Sequence, residues 1–260
     1  MEHSVALVTG ASAGIGHALA TGLAARGHDL VLVARRVERL EEIAGDLRLA
    51  HRVKVEVLPA DLESESGVAA VEARLSADAP VELLVNNAGF GTSGRFHEMP
   101  VGDEEAEIRL NVVALVRLTH AALVPMVARG HGGVINVSSV AAYQPTPDGA
   151  TYGATKAFVS SFTNAIHEEL RGTGVKAMVL APGFTHTEFH ERAKVDDDAG
   201  MPEVFWQSAE EVAEAALKAY ERGRAVCVPG AVNRAATAFS GIFPAGITRR
   251  VAGLVTRRSH

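Results

Sequence analysis

The sequence predicts an α/β fold: one domain built on a doubly wound parallel sheet, with helices on both faces in three α/β/α layers. Short apolar runs alternate with longer amphipathic stretches along most of the 260 residues. Because parallel strands are joined by crossovers that are usually helices, this alternation predicts a parallel sheet. Several runs are apolar at every position, as strands covered on both faces require. We expect residues 1–230 to form the main domain and residues 231–260 to be a C-terminal extension of it.

The elements follow in order from the hydrophobic periods. The expected strands are residues 5–9, 29–34, 54–59, 83–86, 133–138, 176–181 and 224–228. Between them, apolar residues recur at helical spacing in residues 14–26, 37–49, 67–77, 103–129, 150–171 and 208–221. Residues 185–206 follow neither period, so we expect a long loop or a pair of short helices there. Long irregular segments in compact domains are usually lids or binding elements.

Composition excludes several classes of protein. An apolar content of 47% excludes intrinsic disorder, and a net charge of -6 argues against a nucleic-acid binder. Cys227 is the single cysteine and the N-terminus has no signal-peptide pattern, so we expect a cytoplasmic protein. No apolar run is expected to reach the roughly 18 to 20 residues of a membrane span. The longest candidate, residues 235–247, is shorter and is interrupted by Pro244.

A glycine-rich turn follows the first strand and precedes the first helix. Glycines at this position let the backbone turn tightly and approach a pyrophosphate, which the N-terminus of the helix stabilises. The spacing is Gly-x3-Gly-x-Gly, which differs from the common Gly-x-Gly-x2-Gly pattern, and an ordinary structural turn is the alternative. The candidate cofactor-binding residues of this turn are Gly10, Ser12, Ala13, Gly14, Ile15 and Gly16.

Two arginines follow the second strand, where an NAD site would carry an acidic residue for the ribose hydroxyl. The sequence there is Ala34-Arg35-Arg36, and a guanidinium can pair with the additional phosphate of NADP. We therefore expect NADP(H) to be preferred over NAD(H), mainly through Arg35. The alternative is that both arginines merely lie at the end of a strand and contact no cofactor.

A tyrosine and a lysine four residues apart begin the helix at residue 150. Residues at this spacing share a helix face, so Tyr152 and Lys156 are expected to lie side by side. A neighbouring ammonium favours a phenolate, so we expect Lys156 to lower the pKa of Tyr152 and to permit proton transfer. Taken alone, the pair is equally compatible with an inert surface position. Polar residues at the ends of buried strands, Ser138-Ser139 and Asn86-Asn87, and Asn111 within an apolar helix favour a site.

The ordered set of these motifs resembles the short-chain dehydrogenase/reductase family, in its compact one-domain branch, from about Val5 to Val228. The resemblance implies an open Rossmann sheet that binds NAD(P) and an Asn-Ser-Tyr-Lys tetrad, here Asn111, Ser139, Tyr152 and Lys156. By the family's pattern, Tyr152 exchanges a proton with the substrate and Lys156 lowers its pKa and holds the nicotinamide ribose. Ser139 would bind the substrate oxygen, and Asn111 would position a relay water.

The resemblance also implies further cofactor contacts. The adenine end would meet Asp61 and Leu62, the ribose would lie beside Asn87, Ala88 and Gly89, and the carboxamide would meet Pro182, Gly183, Thr185 and Thr187. Arg35 stands at the family's NADP-type basic position, and Arg36, which follows it, is a further candidate cofactor-binding residue. Ala13 occupies the place of a second basic residue of NADP-binding members, which weakens the NADP prediction without reversing it.

The expected substrate is a small carbonyl compound or the corresponding alcohol, uncharged and hydrophobic. The expected pocket wall has no obvious Lys or Arg and consists of Phe90, Val140, Tyr143, Gln144, Phe184, Phe189, Phe205 and Trp206. The sequence leaves the substrate's identity open. Two alternatives are a non-catalytic NADP-binding protein and a nucleotide-sugar epimerase, although the latter branch carries a larger C-terminal domain. A metal at His186, Glu188 and His190 is not expected, because their order differs from that of zinc hydrolases.

A homodimer or homotetramer is expected from the apolar ladder Phe158, Phe162, Ile166 and Leu170 together with Leu115, Leu118 and Ala122. Residues 231–260 carry apolar residues at three- and four-residue steps and several arginines. This extension would line the pocket rim, pack on a neighbouring subunit, or lie on an anionic membrane. We favour the first two, because glycines and Pro244 interrupt the apolar stripe.

Overall fold

The computed structural model describes residues 4–77, 79–187, 204 and 206–240. The strands are β1 Val5–Thr9, β2 Asp29–Ala34, β3 Val55–Pro59, β4 Val81–Asn86, β5 Gly132–Val137, β6 Val175–Leu180, β7 Phe184–Thr185, β8 Trp206–Gln207 and β9 Val226–Cys227. The α-helices are α1 Gly14–Ala24, α2 Val37–His51, α3 Glu65–Leu75, α4 Val101–Ile108, α5 Leu115–Arg129, α6 Ala150–Glu169, α7 Ala209–Glu221 and α8 Ala231–Ser240. Most predicted elements are confirmed, with bounds that differ by one or two residues.

Within the described residues, the central sheet has seven parallel strands in the order β3-β2-β1-β4-β5-β6-β9. The chain runs outward from β1 in one direction and then resumes at β4 in the other. Open α/β sheets bind ligands at such a reversal, outside the carboxyl ends of the strands. Here that position lies between the ends of β1 and β4, at Thr9 and Asn86.

Two apolar layers cover the sheet. On one face α1, α2 and α7 contribute side chains such as Leu19, Leu40 and Leu217. On the other face α3 and α5 contribute Val71 and Leu118, among others. Successive strand residues point to opposite faces, so both faces of a central strand are apolar and buried. The predicted three-layer fold in one domain is therefore confirmed.

The stretch predicted as one helix at residues 103–129 has three parts. The helix α4 is followed without a break by a π-helical segment, Arg109–Ala114, which then continues into α5. The π segment carries Asn111, whose side chain is buried. Widened turns of this kind recur at functional sites because they redirect individual side chains.

By length and composition alone, Val101–Arg129 could cross a membrane, with 29 residues and an 18-residue window of mean hydropathy 1.7. The expectation that no apolar stretch reaches this length is therefore wrong. Leu118, Ala122 and Met126 on this stretch are each 1% exposed and pack in the core beside the sheet. This burial also corrects the expected subunit surface: Leu115, Leu118 and Ala122 lie inside the chain's own core because α5 turns that face to the sheet.

The ends of the irregular segment at residues 185–206 are joined by two short strands. Phe184 pairs with Trp206 and Thr185 pairs with Gln207, so β7 and β8 form a small parallel sheet. This pairing brings the two ends together beside the carboxyl end of β6. The expectation of a loop or short helices in between falls on residues outside the described ones, including Phe189 and Phe205.

The last strand of the main sheet is shorter than expected. Only Val226 and Cys227 pair with β6, and Cys227 is buried as a small apolar residue, as predicted. The helix α8 then begins the C-terminal extension and contacts the 3-10 turn Val140–Tyr143. Residues 241–260 lie outside the described part of the chain.

Candidate active site

The glycine turn is shaped by contacts that leave no room for side chains. Gly10 and Gly14 have φ angles of +65° and +52°, which favour glycine. A Cβ atom on Gly16 would collide with the carbonyl oxygen of Gly10, and one on Gly14 would lie 2.9 Å from Cγ2 of Thr187. The turn therefore presents bare backbone at the reversal point of the sheet.

The N-terminus of α1 opens into this turn. Its capping position is Ala13, whose side chain cannot accept a hydrogen bond from the first turn of the helix. The first N–H groups of a helix lack intrahelical partners, and together with the helix dipole they favour an anion. The uncapped end and the bare glycine backbone fit the pyrophosphate of a dinucleotide.

Asn87 ties the loop after β4 to the glycine turn. Its Nδ2 donates to the carbonyl oxygens of Thr9 and Gly10 at 2.9 and 3.3 Å. The hydroxyl of Thr9 in turn accepts from the backbone N–H groups of Asn87 and Ala88, both at 3.0 Å. These bonds fix the two loops to each other, so the predicted residues Asn87, Ala88 and Gly89 lie beside the turn.

The two arginines after β2 have different neighbours. A guanidinium nitrogen of Arg36 lies 3.3 Å from Oγ of Ser12 and 3.4 Å from its carbonyl oxygen. Arg35 instead pairs with Glu63 at 3.1 Å, next to the exposed Asp61. The sequence singled out Arg35, whereas the structure brings Arg36 onto the glycine turn.

Tyr152, Ser139 and Lys156 meet at the carboxyl end of β5. The side chain of Tyr152 is hydrogen-bonded to the side chain of Ser139. Nζ of Lys156 lies 5.7 Å from the centre of the Tyr152 ring and donates to the carbonyl oxygen of Val137 at 3.0 Å. Ser138 instead donates to the carbonyl oxygen of Lys156 at 2.7 Å, so Ser139 is the serine of this pair that contacts the phenol.

The expected lowering of the Tyr152 pKa is not found. Burial raises the pKa of Tyr152 to about 12, although the hydrogen bond with Ser139 acts to lower it. Burial also lowers the pKa of Lys156 to about 8. Desolvation disfavours the charged form of each group, and it is the largest cause of both shifts. In this environment Tyr152 holds its proton firmly.

Asn111 reaches the same place from the π segment. Its Nδ2 donates to the carbonyl oxygen of Phe90 at 2.8 Å and to Thr155 at 3.2 Å, and its Oδ1 accepts from the N–H of Phe90 at 3.2 Å. A Cβ atom on Gly89 would lie 2.8 Å from this Oδ1 and 3.4 Å from Nζ of Lys156. Asn111, Gly89 and Lys156 thus converge, and Asn111 also fixes the loop after β4.

A cluster of aromatic side chains lies in the short sheet of β7 and β8, just after β6. Trp206 packs against Phe184 and His186, with ring centres 5.4 and 4.6 Å apart. The N–H of Val140 donates to the carbonyl oxygen of Pro182 at 2.9 Å. The loop that is expected to contact the nicotinamide carboxamide therefore adjoins the expected pocket wall. Of the other expected wall residues, Phe90 and Tyr143 are partly buried and Gln144 is exposed.

The model of the short chain dehydrogenase family matches residues 4–198. The chain belongs to the short-chain dehydrogenase/reductase family. Membership confirms the predicted enzyme class, an oxidoreductase that acts on CH–OH groups.

Family relatives and solved structures agree with this assignment. Sulfoacetaldehyde reductase 2 of Chromohalobacter salexigens is 37% identical over 217 residues, covering 81% of this chain and 85% of that protein. A short-chain dehydrogenase from Sphingobium yanoikuyae in complex with NADPH superposes with a TM-score of 0.83 at 40% identity, covering 86% and 87% of the two chains. A bulky-bulky ketone specific alcohol dehydrogenase from Comamonas testosteroni has a TM-score of 0.80 at 32% identity, covering 93% and 94%.

Sequence reasoning missed several residues that adjoin the site of this dehydrogenase/reductase. Asn233 of α8 is buried, and a Cβ atom on Gly183 would collide with it. Its Nδ2 also donates to Oε1 of Gln207 at 3.3 Å, so the C-terminal extension begins against the proposed cofactor loop. Glu104 and Glu107 are buried as well, behind Thr92. The sequence did contain a signal for the two glutamates, because they are polar residues at helix positions where the pattern would place apolar ones.

Proposed function

We propose that this chain is an NADP(H)-dependent oxidoreductase that interconverts a hydrophobic ketone or aldehyde and its alcohol. The observation that carries the proposal is the grouping of Tyr152, Ser139 and Lys156 next to an uncapped helix N-terminus and its glycine turn. When bound, NADP(H) supplies or accepts the hydride. The protein's residues orient the partners and move the proton.

In the direction of reduction, Tyr152 gives its hydroxyl proton to the carbonyl oxygen of the substrate. Its raised pKa suits this role, because the phenol is fully protonated over the physiological range. Ser139 donates a hydrogen bond to the same oxygen and stabilises the developing negative charge. The ammonium of Lys156 would support the phenolate that remains, and Asn111, which lies close to Lys156 beside Gly89, would take part in restoring the proton.

The cofactor would lie along the edge formed by β1, β2 and β4. Its pyrophosphate would bind the glycine turn and the N-terminus of α1, and Arg35 and Arg36 would contact the phosphate that distinguishes NADP from NAD. The guanidinium of Arg36 beside Ser12, with Arg35 next to it in the chain, favours an anion, which supports a preference for NADP(H). The NADPH complex of the Sphingobium neighbour also supports NADP as the cofactor.

The substrate is proposed to be uncharged, because the aromatic cluster of Phe184, Trp206 and His186 offers apolar contact area. The ketone-specific Comamonas neighbour supports this choice, whereas the sulfoacetaldehyde reductase points to a small charged aldehyde. A panel of bulky ketones, aldehydes, steroids, 3-oxoacyl thioesters and sulfoacetaldehyde, assayed by NADPH consumption, separates the two. Higher kcat/KM for the bulky uncharged carbonyls is expected. A clear preference for sulfoacetaldehyde would overturn the hydrophobic substrate class.

Tyr152→Phe tests the mechanism. We expect turnover to fall by about 10² to 10⁴-fold, because the proton donor is removed while the ring remains. NADPH binding, measured by fluorescence titration, should persist. Tyr220→Phe is a matched control, since burial also raises the pKa of Tyr220 to about 12 but this residue lies on α7, away from the site. Turnover of Tyr152→Phe within a few-fold of wild type would remove Tyr152 from the mechanism.

A further inference from the structure

Two acidic side chains are buried on α4, beside the catalytic helix α6. Glu107 is 0% exposed and Glu104 is 7% exposed. Carboxylates are seldom buried without partners, because desolvation of the charge is costly. No step of the proposed mechanism uses either residue, so their burial requires a separate explanation.

Glu107 holds the loop that follows β4. Its Oε2 accepts from the backbone N–H of Thr92 and from the Thr92 hydroxyl, both at 2.8 Å. The preceding residue, Gly91, lies against the phenol, since a Cβ atom there would be 2.9 Å from Cδ2 of Tyr152. Glu107 is therefore connected to the ring of Tyr152 through two consecutive loop residues.

The hydrogen-bond donors nearby do not satisfy every carboxylate oxygen of Glu104 and Glu107. The Thr92 hydroxyl also lies 2.9 Å from Oε1 of Glu104, yet it has only one hydrogen for the two carboxylates. Oε1 of Glu107 has no hydrogen-bond partner among the described residues. A buried carboxylate with an unpaired oxygen acts mainly through its charge, because few dipoles nearby screen it.

The charged and titratable groups that interact with Glu107 are Glu104 on its own helix, and Lys156 and Tyr152 on α6. Burial raises the pKa of Glu107, and Lys156 acts to lower it. In return, the negative charge of Glu107 acts to raise the pKa of both Lys156 and Tyr152. Among these groups, Glu104 acts on the pKa of Glu107 alone, which it raises.

We propose that Glu107 is a positioning residue for the Tyr152–Lys156 pair, holding the loop against the phenol and keeping the pair protonated in more alkaline solution. This inference rests on the proposed function. It assigns a role to a residue outside the four catalytic ones, and it explains why an incompletely paired carboxylate is buried here.

The proposal predicts the direction of a pH effect. Reduction requires a protonated pair, so kcat/KM falls on the alkaline side when the pair loses its first proton. The two groups interact, so this apparent pKa belongs to the pair. Removing a nearby negative charge lowers the pKa of both members. The alkaline decline must therefore move to lower pH, whichever group it reports.

The test is the pH profile of kcat/KM for carbonyl reduction in Glu107→Gln, a variant of similar shape without the charge. We expect the alkaline decline to move down by roughly 0.5 to 1 pH unit, with NADPH affinity unchanged. Glu104→Gln is the matched control: it alters a second buried carboxylate that contacts Thr92, and its decline should stay at the wild-type pH. Glu107→Asp retains the charge, so its alkaline decline should lie close to the wild-type pH.

An alkaline decline at the wild-type pH in Glu107→Gln would overturn the proposal. Glu107→Met serves as a second neutral variant, since it leaves no buried polar group, and it should show the same shift. If neither variant folds, the role of Glu107 is structural and the proposal is rejected. These outcomes differ from failure of the proposed function, which would appear as unchanged turnover in Tyr152→Phe or as no carbonyl reduction by the wild type.

Discussion

At the scale of single residues, Arg35 and Arg36 are adjacent and have identical side chains, yet they have different neighbours. Arg36 lies against Ser12 of the glycine turn, whereas Arg35 is held by Glu63. An exposed ion pair contributes little to stability, so Arg35 can exchange Glu63 for a phosphate at small cost. We propose that both arginines contact the phosphate that distinguishes NADP from NAD.

We expect NADPH to bind more tightly than NADH, and Arg35→Ala and Arg36→Ala each to weaken NADPH binding more than NADH binding. A charge-assisted contact to phosphate contributes roughly 1.5 to 3 kcal/mol, or about 10 to 150-fold in affinity. Dissociation constants from fluorescence titration measure the effect. Arg171→Ala, which removes an exposed arginine just after the C-terminal end of α6, should leave both constants unchanged. Equal constants for the two cofactors in the wild type would refute the preference.

Among the elements, the glycine turn and the π segment show how local backbone geometry serves the site. The turn presents bare backbone at the reversal point of the sheet, and the π segment carries the buried Asn111 to the loop after β4. Neither geometry depends on long side chains. A substitution that adds a single carbon atom is therefore a direct test of the turn.

Gly16→Ala is expected to weaken NADPH binding by at least about tenfold, because its Cβ would collide with the carbonyl oxygen of Gly10 and force the turn open. Gly45→Ala is the matched control: no heavy atom lies within 4 Å of its Cβ position in the helix α2. That control should retain NADPH affinity and gain about 0.5 to 1 kcal/mol in free energy of unfolding. Titration with NADPH and urea unfolding provide the measurements. Undiminished NADPH affinity in Gly16→Ala would contradict the proposed phosphate site.

For the whole molecule, the outer face of α6 is the feature that bears on assembly. Tyr152 and Lys156 lie toward the sheet, while Phe158 is 42% exposed and stacks on Phe162 with ring centres 5.6 Å apart. Exposed aromatic pairs on a helix commonly mark contacts between proteins. Of the surface expected from the sequence, Phe158 and the partly buried Phe162 therefore remain available, whereas Leu170 and the residues on α5 lie in the core.

We predict a homodimer or homotetramer at micromolar concentration, with Phe158→Glu lowering the mass toward that of one 27.3 kDa chain. A buried charge in the contact would oppose association. Sedimentation measures the mass of both proteins. Phe96→Glu is the control, since Phe96 is 63% exposed on a different element. A wild-type mass of one chain would refute the prediction.

The sequence by itself determined the layered fold and predicted the residues of the candidate site. Hydrophobic periods depend on burial of one or both faces of an element, so they predicted strands such as β1 and β2 to the residue. The positions of the glycine turn and of the Tyr152–Lys156 pair follow from local rules of backbone geometry, which act within a few residues.

Only the tertiary structure decided properties that arise from packing between distant segments. The pKa of Tyr152 rises because the surrounding elements exclude water, which no local pattern of the sequence reveals. The contact of Asn233 with Gly183, the position of Arg36 on Ser12 and the burial of Glu107 behind Thr92 join residues that are far apart in the chain or lie on different elements. Burial and electrostatic interaction depend on three-dimensional distance, and the folded chain alone sets that distance.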